Sequence, residues 1–118
     1  TMKINEYSEY KDKNVVKLIL NNRNQVLIGS RSTLPYMKKF KKEIAKKIIG
    51  IYAFRLQSLL KFKNTSQTFL EKIESCDTNR ICETTGDLYA VEYPYKEIVA
   101  IDTMKDLRKV RKILKKNK

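Results

Sequence analysis

A lone carboxylate, Asp102, marks the point where two patterns of the C-terminal sequence meet. Residues 98–101 are apolar and mostly β-branched, which predicts a short buried strand. A helix is predicted after it, since apolar residues recur at helical spacing: Met104, Leu107, Val110, Ile113 and Leu114. Ligands of open α/β sheets bind outside the carboxyl ends of the strands, so Asp102 is the first residue to consider for chemistry. The structural alternative is an Asp that simply begins the helix beside Thr103, its N-cap.

The elements that must position such a residue alternate between strand and helix patterns, which predicts an α/β fold. Besides the strand at residues 98–101, four strands are predicted, at residues 15–20, 26–29, 48–54 and 88–92. Short helices are predicted at residues 55–63, 69–73 and 77–83. Residues 36–47 fit a helix or a loop, and residues 1–14 are predicted to be a loop or a frayed lead-in. A self-standing parallel sheet needs more helices than this to cover it. We therefore expect the chain to be part of a larger α/β domain.

The positive charge of the chain is concentrated in two segments. Of the net charge of +13, residues 38–47 carry +5 and residues 105–118 carry +7. Two solvated faces of a lysine-rich chain explain this distribution. The alternative is a surface that binds polyanions or phosphates.

Several classes of protein are disfavoured by the composition. No apolar run approaches the roughly 18 residues that a membrane-spanning helix needs, and the N-terminal residues lack the apolar core of a signal peptide. The chain has no His, and Cys76 and Cys82 lie six residues apart, so a zinc site would lack ligands. A disulfide between them is not favoured, and we expect a cytoplasmic protein.

Four segments, in this order and at this spacing, carry a resemblance to a known family. They are Ser-Arg-Ser-Thr-Leu-Pro-Tyr from residue 30, Ile-Gly-Ile-Tyr-Ala-Phe-Arg from residue 49, Phe-Leu-Glu-Lys-Ile-Glu-Ser from residue 69, and Ala-Ile-Asp-Thr-Met-Lys-Asp-Leu-Arg-Lys-Val from residue 100. Together they resemble the C-terminal half of 3-deoxy-manno-octulosonate cytidylyltransferase, the CMP-Kdo synthetase. The resemblance covers roughly residues 13–114.

The resemblance implies an enzyme that joins CTP and an acidic eight-carbon sugar, Kdo, into a CMP-sugar and pyrophosphate, in lipopolysaccharide precursor synthesis. It implies a Rossmann-like mixed sheet with flanking helices, as in nucleotide-diphospho-sugar transferases, and a homodimer. Asp102 matches the metal-ligand Asp of the family, and a carboxylate oxygen suits the hard cation Mg²⁺. Such an ion would neutralise charge and align the sugar hydroxyl for in-line attack on the α-phosphate.

The same resemblance assigns four residues to the side of the site that binds the sugar. Arg31 suits a sugar carboxylate or a phosphate through bidentate bonds, although a surface Arg at a turn is the alternative. Tyr52 offers a hydroxyl to the sugar, and a core Tyr is the alternative. Glu71, Glu74 and Arg80 match the acidic and basic pattern of the family's sugar-side helix, and Asp77 keeps a carboxylate where the family has a Glu-Gln pair. The alternative for Glu71 and Arg80 is that they only brace each other.

Departures from the family pattern and a missing half weigh against activity. Ile48 replaces the family's His before Ile-Gly-Ile-Tyr, and Asp77-Thr78 replaces its Glu-Gln pair. Both departures fall on the sugar side. The chain has three scattered glycines, so it offers no phosphate-cradling loop for CTP. We therefore expect residues 1–118 to be a single partial domain, the sugar-binding and dimerisation half, which is inactive alone. The alternatives are a basic nucleic-acid-binding module, which no recognised motif supports, and a degenerate paralogue.

Overall fold

The computed structural model describes residues 1–96, 101 and 104–116. Its strands are β1 (Met2–Lys3), β2 (Lys17–Leu20), β3 (Val26–Ser30) and β4 (Lys46–Lys47). Its helices are α1 (Tyr7–Lys11), α2 (Leu56–Asn64), α3 (Phe69–Glu74), α4 (Thr78–Thr84) and α5 (Met104–Lys116). Asp102, Thr103 and most of the strand predicted at residues 98–101 lie outside the described residues.

The four strands form one sheet in the order β1-β4-β2-β3, and the described pairs are all antiparallel. β2 and β3 form the hairpin predicted from their apolar runs, with Lys17 opposite Ser30 and Leu18 opposite Gly29. The connecting turn is closed by Asn21, whose side-chain Oδ1 accepts the backbone N–H groups of Arg23 and Gln25. The α/β class is confirmed, with helices flanking an antiparallel sheet.

The N-terminal residues are ordered into elements, so the prediction of a loop over residues 1–14 is wrong. β1 pairs with β4, and Ile4 and Tyr10 are buried against Ala45. Phe40 packs on the Tyr10 ring, with 5.5 Å between ring centroids. The burial of these residues depends on a partner some forty positions away, which local periodicity does not report.

Two predicted strands are not strands in the structure. Residues 48–54 are irregular, Ile51 is 80% exposed, and Gly50 has a φ of 74° that breaks an extended run. Residues 88–92 contribute only an isolated bridge between Gln25 and Tyr89. Apolar composition alone predicted both strands, but a strand also needs a neighbour with free backbone groups.

The helices predicted at residues 55–63, 69–73 and 77–83 are confirmed as α2, α3 and α4, and no end differs from the prediction by more than one residue. The helix predicted after Asp102 is confirmed as α5. Residues 36–47 form turns, apart from β4 at their end. Within the described part of the chain, none of the helices is long and apolar enough to cross a bilayer.

Candidate functional site

The α3–α4 pair is fixed to the end of β3 by a buried amide. The Asn79 side chain is fully buried, and its Oδ1 accepts the Gly29 N–H at 2.9 Å. Its Nδ2 donates to the Gly29 carbonyl, also at 2.9 Å. Gly29 allows this close approach, because a Cβ at that position would lie 3.1 Å from the Cys76 Sγ. The segment from Ser30 onwards therefore leaves the sheet directly beside the start of α4.

The Arg31 guanidinium is bound by three backbone carbonyls. Its Nε donates to Glu74 O at 2.9 Å, its Nη1 to Lys13 O at 3.0 Å, and its Nη2 to Ser75 O at 3.1 Å. A guanidinium has five N–H donors, so two remain for a ligand. All three acceptors are neutral, and the ion pairs found among the described residues do not include Arg31. Its positive charge is oriented but not neutralised by a direct partner, which suits an anion.

The main chain at Arg31 is held by the side chain of Glu74, the last residue of α3. One carboxylate oxygen accepts the Ser30 hydroxyl at 2.7 Å, and the other accepts the Arg31 N–H at 2.9 Å. Both bonds are to a charged acceptor and are stronger than neutral ones. The Glu74 carboxylate thus holds the backbone of Arg31, while the Glu74 carbonyl accepts a hydrogen bond from the Arg31 side chain.

Arg80 has a different environment, because its charge is neutralised within the protein. It forms a two-pronged ion pair with Glu71, in which its Nε donates to Oε2 at 2.7 Å and its Nη2 donates to Oε1. Its Nη1 donates to Thr65 O at 3.2 Å, and its guanidinium carbon lies 4.3 Å from the centre of the Phe62 ring. Arg80 therefore braces α4 against α3 and the end of α2.

The ion pair shifts the ionisation of both partners. Hydrogen bonds from Arg80 hold the pKa of the Glu71 carboxyl below its usual range, against the opposing effect of burial. The same bonds raise the pKa of Arg80. Glu71 is 4% exposed and also accepts the Thr68 N–H at 3.3 Å, which ties the start of α3 to the pair. The sequence left bracing open as an alternative for these two residues, and their geometry is that of a brace.

Tyr52 and Asp77 lie together at the start of α4. The Tyr52 hydroxyl is 2.7 Å from the Thr78 Oγ1 and 3.4 Å from a carboxylate oxygen of Asp77. Its ring stacks on Phe54 with 6.1 Å between centroids. Burial raises the pKa of the Tyr52 phenol to about 12, so the hydroxyl stays protonated at neutral pH and can donate a hydrogen bond. Asp77 is exposed and offers oxygen acceptors to solvent or a ligand.

The structure brings Arg31, Tyr52 and Asp77 to one short connection. Ser75 ends α3 with a φ of 48°, its carbonyl binds Arg31, and Asp77 follows two residues later beside Tyr52. The left-handed conformation of Ser75 turns the chain sharply between the two helices. A cation, a phenol and a carboxylate therefore surround one connection, a donor and acceptor set that suits a polyhydroxylated acid. Arg80 is directed away into the brace, and Asp102 is outside the described residues.

Two contributors were missed by the sequence reasoning. Thr78 was noted only as a poor replacement for an amide, yet its hydroxyl contacts Tyr52. Lys17 was not considered, although its buried ammonium donates to the Arg31 carbonyl at 2.6 Å. A signal for Lys17 was available, since a lysine interrupts the apolar run of residues 15–20.

The described residues do not form a metal centre. They contain no cluster of three or more His, Cys, Asp or Glu side chains that could hold a metal ion. Asp77 is a single exposed carboxylate next to a phenol, whose hydrogen bond occupies part of its acceptor capacity. The chemistry of this donor set fits an organic polyol or acid better than a cation.

A separate cavity of about 660 Å³ lies between α2, α4 and residues 85–89. Phe54, Phe62 and Tyr89 contribute aromatic surface, and Arg55 and Lys61 contribute charge. The residues of α2 are largely exposed, with Leu56 at 71%, so this side of the molecule presents uncovered apolar surface.

The family model described as Cytidylyltransferase matches residues 1–98. The chain belongs to the cytidylyltransferase family. The match includes Arg31, Tyr52, Asp77 and Arg80, whereas Asp102 lies beyond the matched residues.

Relatives in this family carry the name expected from the motifs. The 3-deoxy-manno-octulosonate cytidylyltransferase of Koribacter versatilis is 35% identical over 103 residues, covering 86% of this chain and 39% of the relative. The Blochmanniella floridana protein of the same name is 32% identical over 112 residues, covering 91% and 43%. The resemblance stated from the sequence is confirmed, and the chain spans less than half the length of these relatives.

A solved structure agrees with the fold. CMP:2-keto-3-deoxy-manno-octonic acid synthetase, solved in complex with CTP, is 26% identical to the chain, with a TM-score of 0.85. The similarity covers 99% of this chain and 48% of that one. The antiparallel sheet and its flanking helices are thus those of a cytidylyltransferase, over about half of that enzyme.

Proposed function

We propose that this chain is the sugar-binding half of an enzyme that transfers CMP from CTP to Kdo or a related acidic sugar. The arrangement of Arg31 carries this proposal. Its guanidinium is held by three neutral carbonyls, retains two N–H donors and lacks a direct counter-ion among the described residues. A planar cation in this state is complementary to a sugar carboxylate.

The other sugar-side residues have separate roles in the proposal. The Tyr52 hydroxyl oxygen accepts from a sugar hydroxyl, since its one O–H is directed to Asp77, and the Asp77 carboxylate accepts from other sugar hydroxyls. Arg80 acts from behind this surface, because Glu71 neutralises its charge and Glu71, Thr65 and Phe62 accept its hydrogen bonds. The four residues expected from the sequence thus divide into three that contact the sugar and one that supports them.

The remaining partners belong to the complete enzyme. CTP, Mg²⁺ and a second copy of the chain complete the proposal, with Asp102 as one metal ligand and the released pyrophosphate as the second product. Supporting observations are the CTP bound to the solved relative and the apolar surface exposed along α2. A reaction that consumes CTP in lipopolysaccharide precursor synthesis would take place in the cytoplasm, where free thiols such as Cys76 and Cys82 persist.

A pyrophosphate-release assay tests the division of labour in this proposal. The 118-residue chain is incubated with CTP, Mg²⁺ and Kdo. We expect no turnover, because positioning of the triphosphate supplies most of the catalysis in phosphoryl transfer and the chain has no glycine-rich cradle. Turnover at a normal enzyme rate would contradict the assignment of this chain to the sugar side alone.

The second candidate function is non-specific binding of nucleic acid. Lys38, Lys39, Lys41 and Lys42 are exposed, and the described residues provide no ion-pair partner for them. A DNA mobility-shift assay at several salt concentrations separates the two functions. Binding that weakens steeply with salt would favour this candidate, since each neutralised phosphate releases counterions.

A further inference from the structure

Lys17 is a fully buried lysine whose side chain is used entirely by the backbone. Its exposed fraction is 0%, and its Nζ donates to the carbonyls of Arg31 and Val15 at 2.6 Å and of Asp12 at 2.8 Å. An ammonium has three donors, so all of them are satisfied. The ion pairs of the described residues do not include Lys17. Burial lowers the pKa of Lys17 against the opposing effects of Asp12 and Glu74, so holding this charge without a direct ion pair is costly. The result is the fixed placement of three carbonyls.

Lys17 fixes two segments of the backbone, and both determine where the Arg31 side chain lies. The first segment is the main chain of Arg31. The second is the turn of residues 12–15, which contains the Lys13 carbonyl that accepts from the Arg31 Nη1 at 3.0 Å. Lys17 therefore acts on Arg31 from the sheet side, through the backbone and through one of the three guanidinium acceptors.

Glu74 acts on Arg31 from the helix side. Its carboxylate accepts the Ser30 hydroxyl and the Arg31 N–H, and its carbonyl accepts the Arg31 Nε. The backbone of Arg31 is thus held at its N–H by one charged side chain and at its carbonyl by another of opposite sign. A flexible arginine is converted in this way into a group with a fixed backbone and a fixed guanidinium plane.

We propose that Lys17 and Glu74 are positioning residues that hold the Arg31 guanidinium ready for the carboxylate of an acidic sugar. The inference rests on the proposed function for the identity of the anion, and on the contacts of this chain for the positioning. Binding to a preorganised group loses less conformational freedom than binding to a mobile one. Loss of either positioning residue should therefore weaken anion binding although neither contacts the anion.

The test uses the 118-residue chain and four variants. Lys17→Met and Glu74→Gln remove the positioning charges and keep similar volumes. Lys47→Met and Glu83→Gln are the controls, since Lys47 is also a buried lysine but pairs with Glu9, and Glu83 also accepts a backbone N–H, that of Leu70. The exchange of the Arg31 Nε–H with solvent is measured by NMR, with the Arg80 Nε–H as an internal reference. The dissociation constant for Kdo is measured on the same samples.

We expect both positioning variants to accelerate exchange at Arg31 by about tenfold or more and to leave Arg80 unchanged. The dissociation constant for Kdo should rise by a similar factor in these variants and stay constant in the controls. Unchanged exchange at Arg31 would overturn the positioning role. Equal acceleration at Arg31 and Arg80 would also overturn it, because that result reports general loosening of the fold.

The two proposals fail separately in this experiment. If the wild-type chain does not bind Kdo, the proposed function is contradicted. The exchange rates at Arg31 still decide whether Lys17 and Glu74 position its guanidinium. Glu74 is only half-buried, so Glu74→Gln provides the answer if the Lys17→Met variant does not fold.

Discussion

Arg31 and Arg80 both contact the α3–α4 pair, but their charges meet different acceptors. Arg31 is bound by carbonyls, so its charge stays available to a ligand. The charge of Arg80 is neutralised by the Glu71 carboxylate. The sequence placed both on the sugar side, because the types and spacing of the residues do not report the acceptors. At the residue scale, the partner of each guanidinium therefore separates Arg31, which we propose binds the sugar, from the bracing Arg80.

The Arg80 brace predicts a selective loss of stability. In Arg80→Met the Glu71 carboxylate remains almost buried without its counter-ion, so the free energy of unfolding should fall well below that of the wild type. Arg23→Met is the matched control, because Arg23 is exposed in the β2–β3 turn. Urea unfolding measures both variants. Equal midpoints for the two would contradict the bracing role.

The lowered pKa of Glu71 predicts a pH dependence of stability. A carboxyl whose pKa is lower in the folded than in the unfolded chain stabilises the fold above the unfolded value, which is 4.5 here. That contribution is lost as the pH falls from 4.5 through the folded pKa. Urea midpoints measured between pH 7 and pH 3 should therefore fall more steeply for the wild type than for Glu71→Gln. The exposed Glu43 supplies the control, since Glu43→Gln should follow the wild-type curve.

At the scale of elements, local pattern was sufficient where an element depends on its own residues. The β2–β3 hairpin and the helices α2 to α5 were predicted because apolar spacing and turn residues lie within each segment. Residues 48–54 were predicted to be a strand and are irregular, because apolar composition does not supply a neighbouring strand. β1 and α1 were missed because the burial of Ile4 depends on Ala45, which is remote in the sequence.

The joint between β3 and α4 predicts the cost of losing one amide. Asn79→Ala leaves the Gly29 N–H and carbonyl buried without a partner, which should cost about 2–6 kcal/mol of unfolding free energy. Asn22→Ala, in the exposed β2–β3 turn, should have little effect. Denaturant unfolding of the two variants provides the measurement. A loss below about 1 kcal/mol for Asn79→Ala would show that the joint does not depend on this side chain.

At the scale of the molecule, the sequence motifs identified candidate site residues but could not predict how those residues are connected. The motifs predicted Arg31, Tyr52 and Asp77 to be sugar-side residues. The fold places all three at the connection between α3 and α4. The interrupted apolar run marks Lys17 as unusual, but its contact with the Arg31 carbonyl could not be predicted, because that contact exists only when the β2–β3 hairpin forms. The metal site assigned to Asp102 stays a prediction.

Calorimetric titration of the chain with Kdo, with mannose as a sugar that lacks the carboxylate, tests the central claim most directly. The wild type should bind Kdo and not mannose. Arg31→Ala should weaken Kdo binding by about tenfold or more, while Arg23→Ala should bind like the wild type. Absence of Kdo binding by the wild type, or an Arg31→Ala variant with wild-type affinity, would contradict the assignment of Arg31 to an acidic sugar.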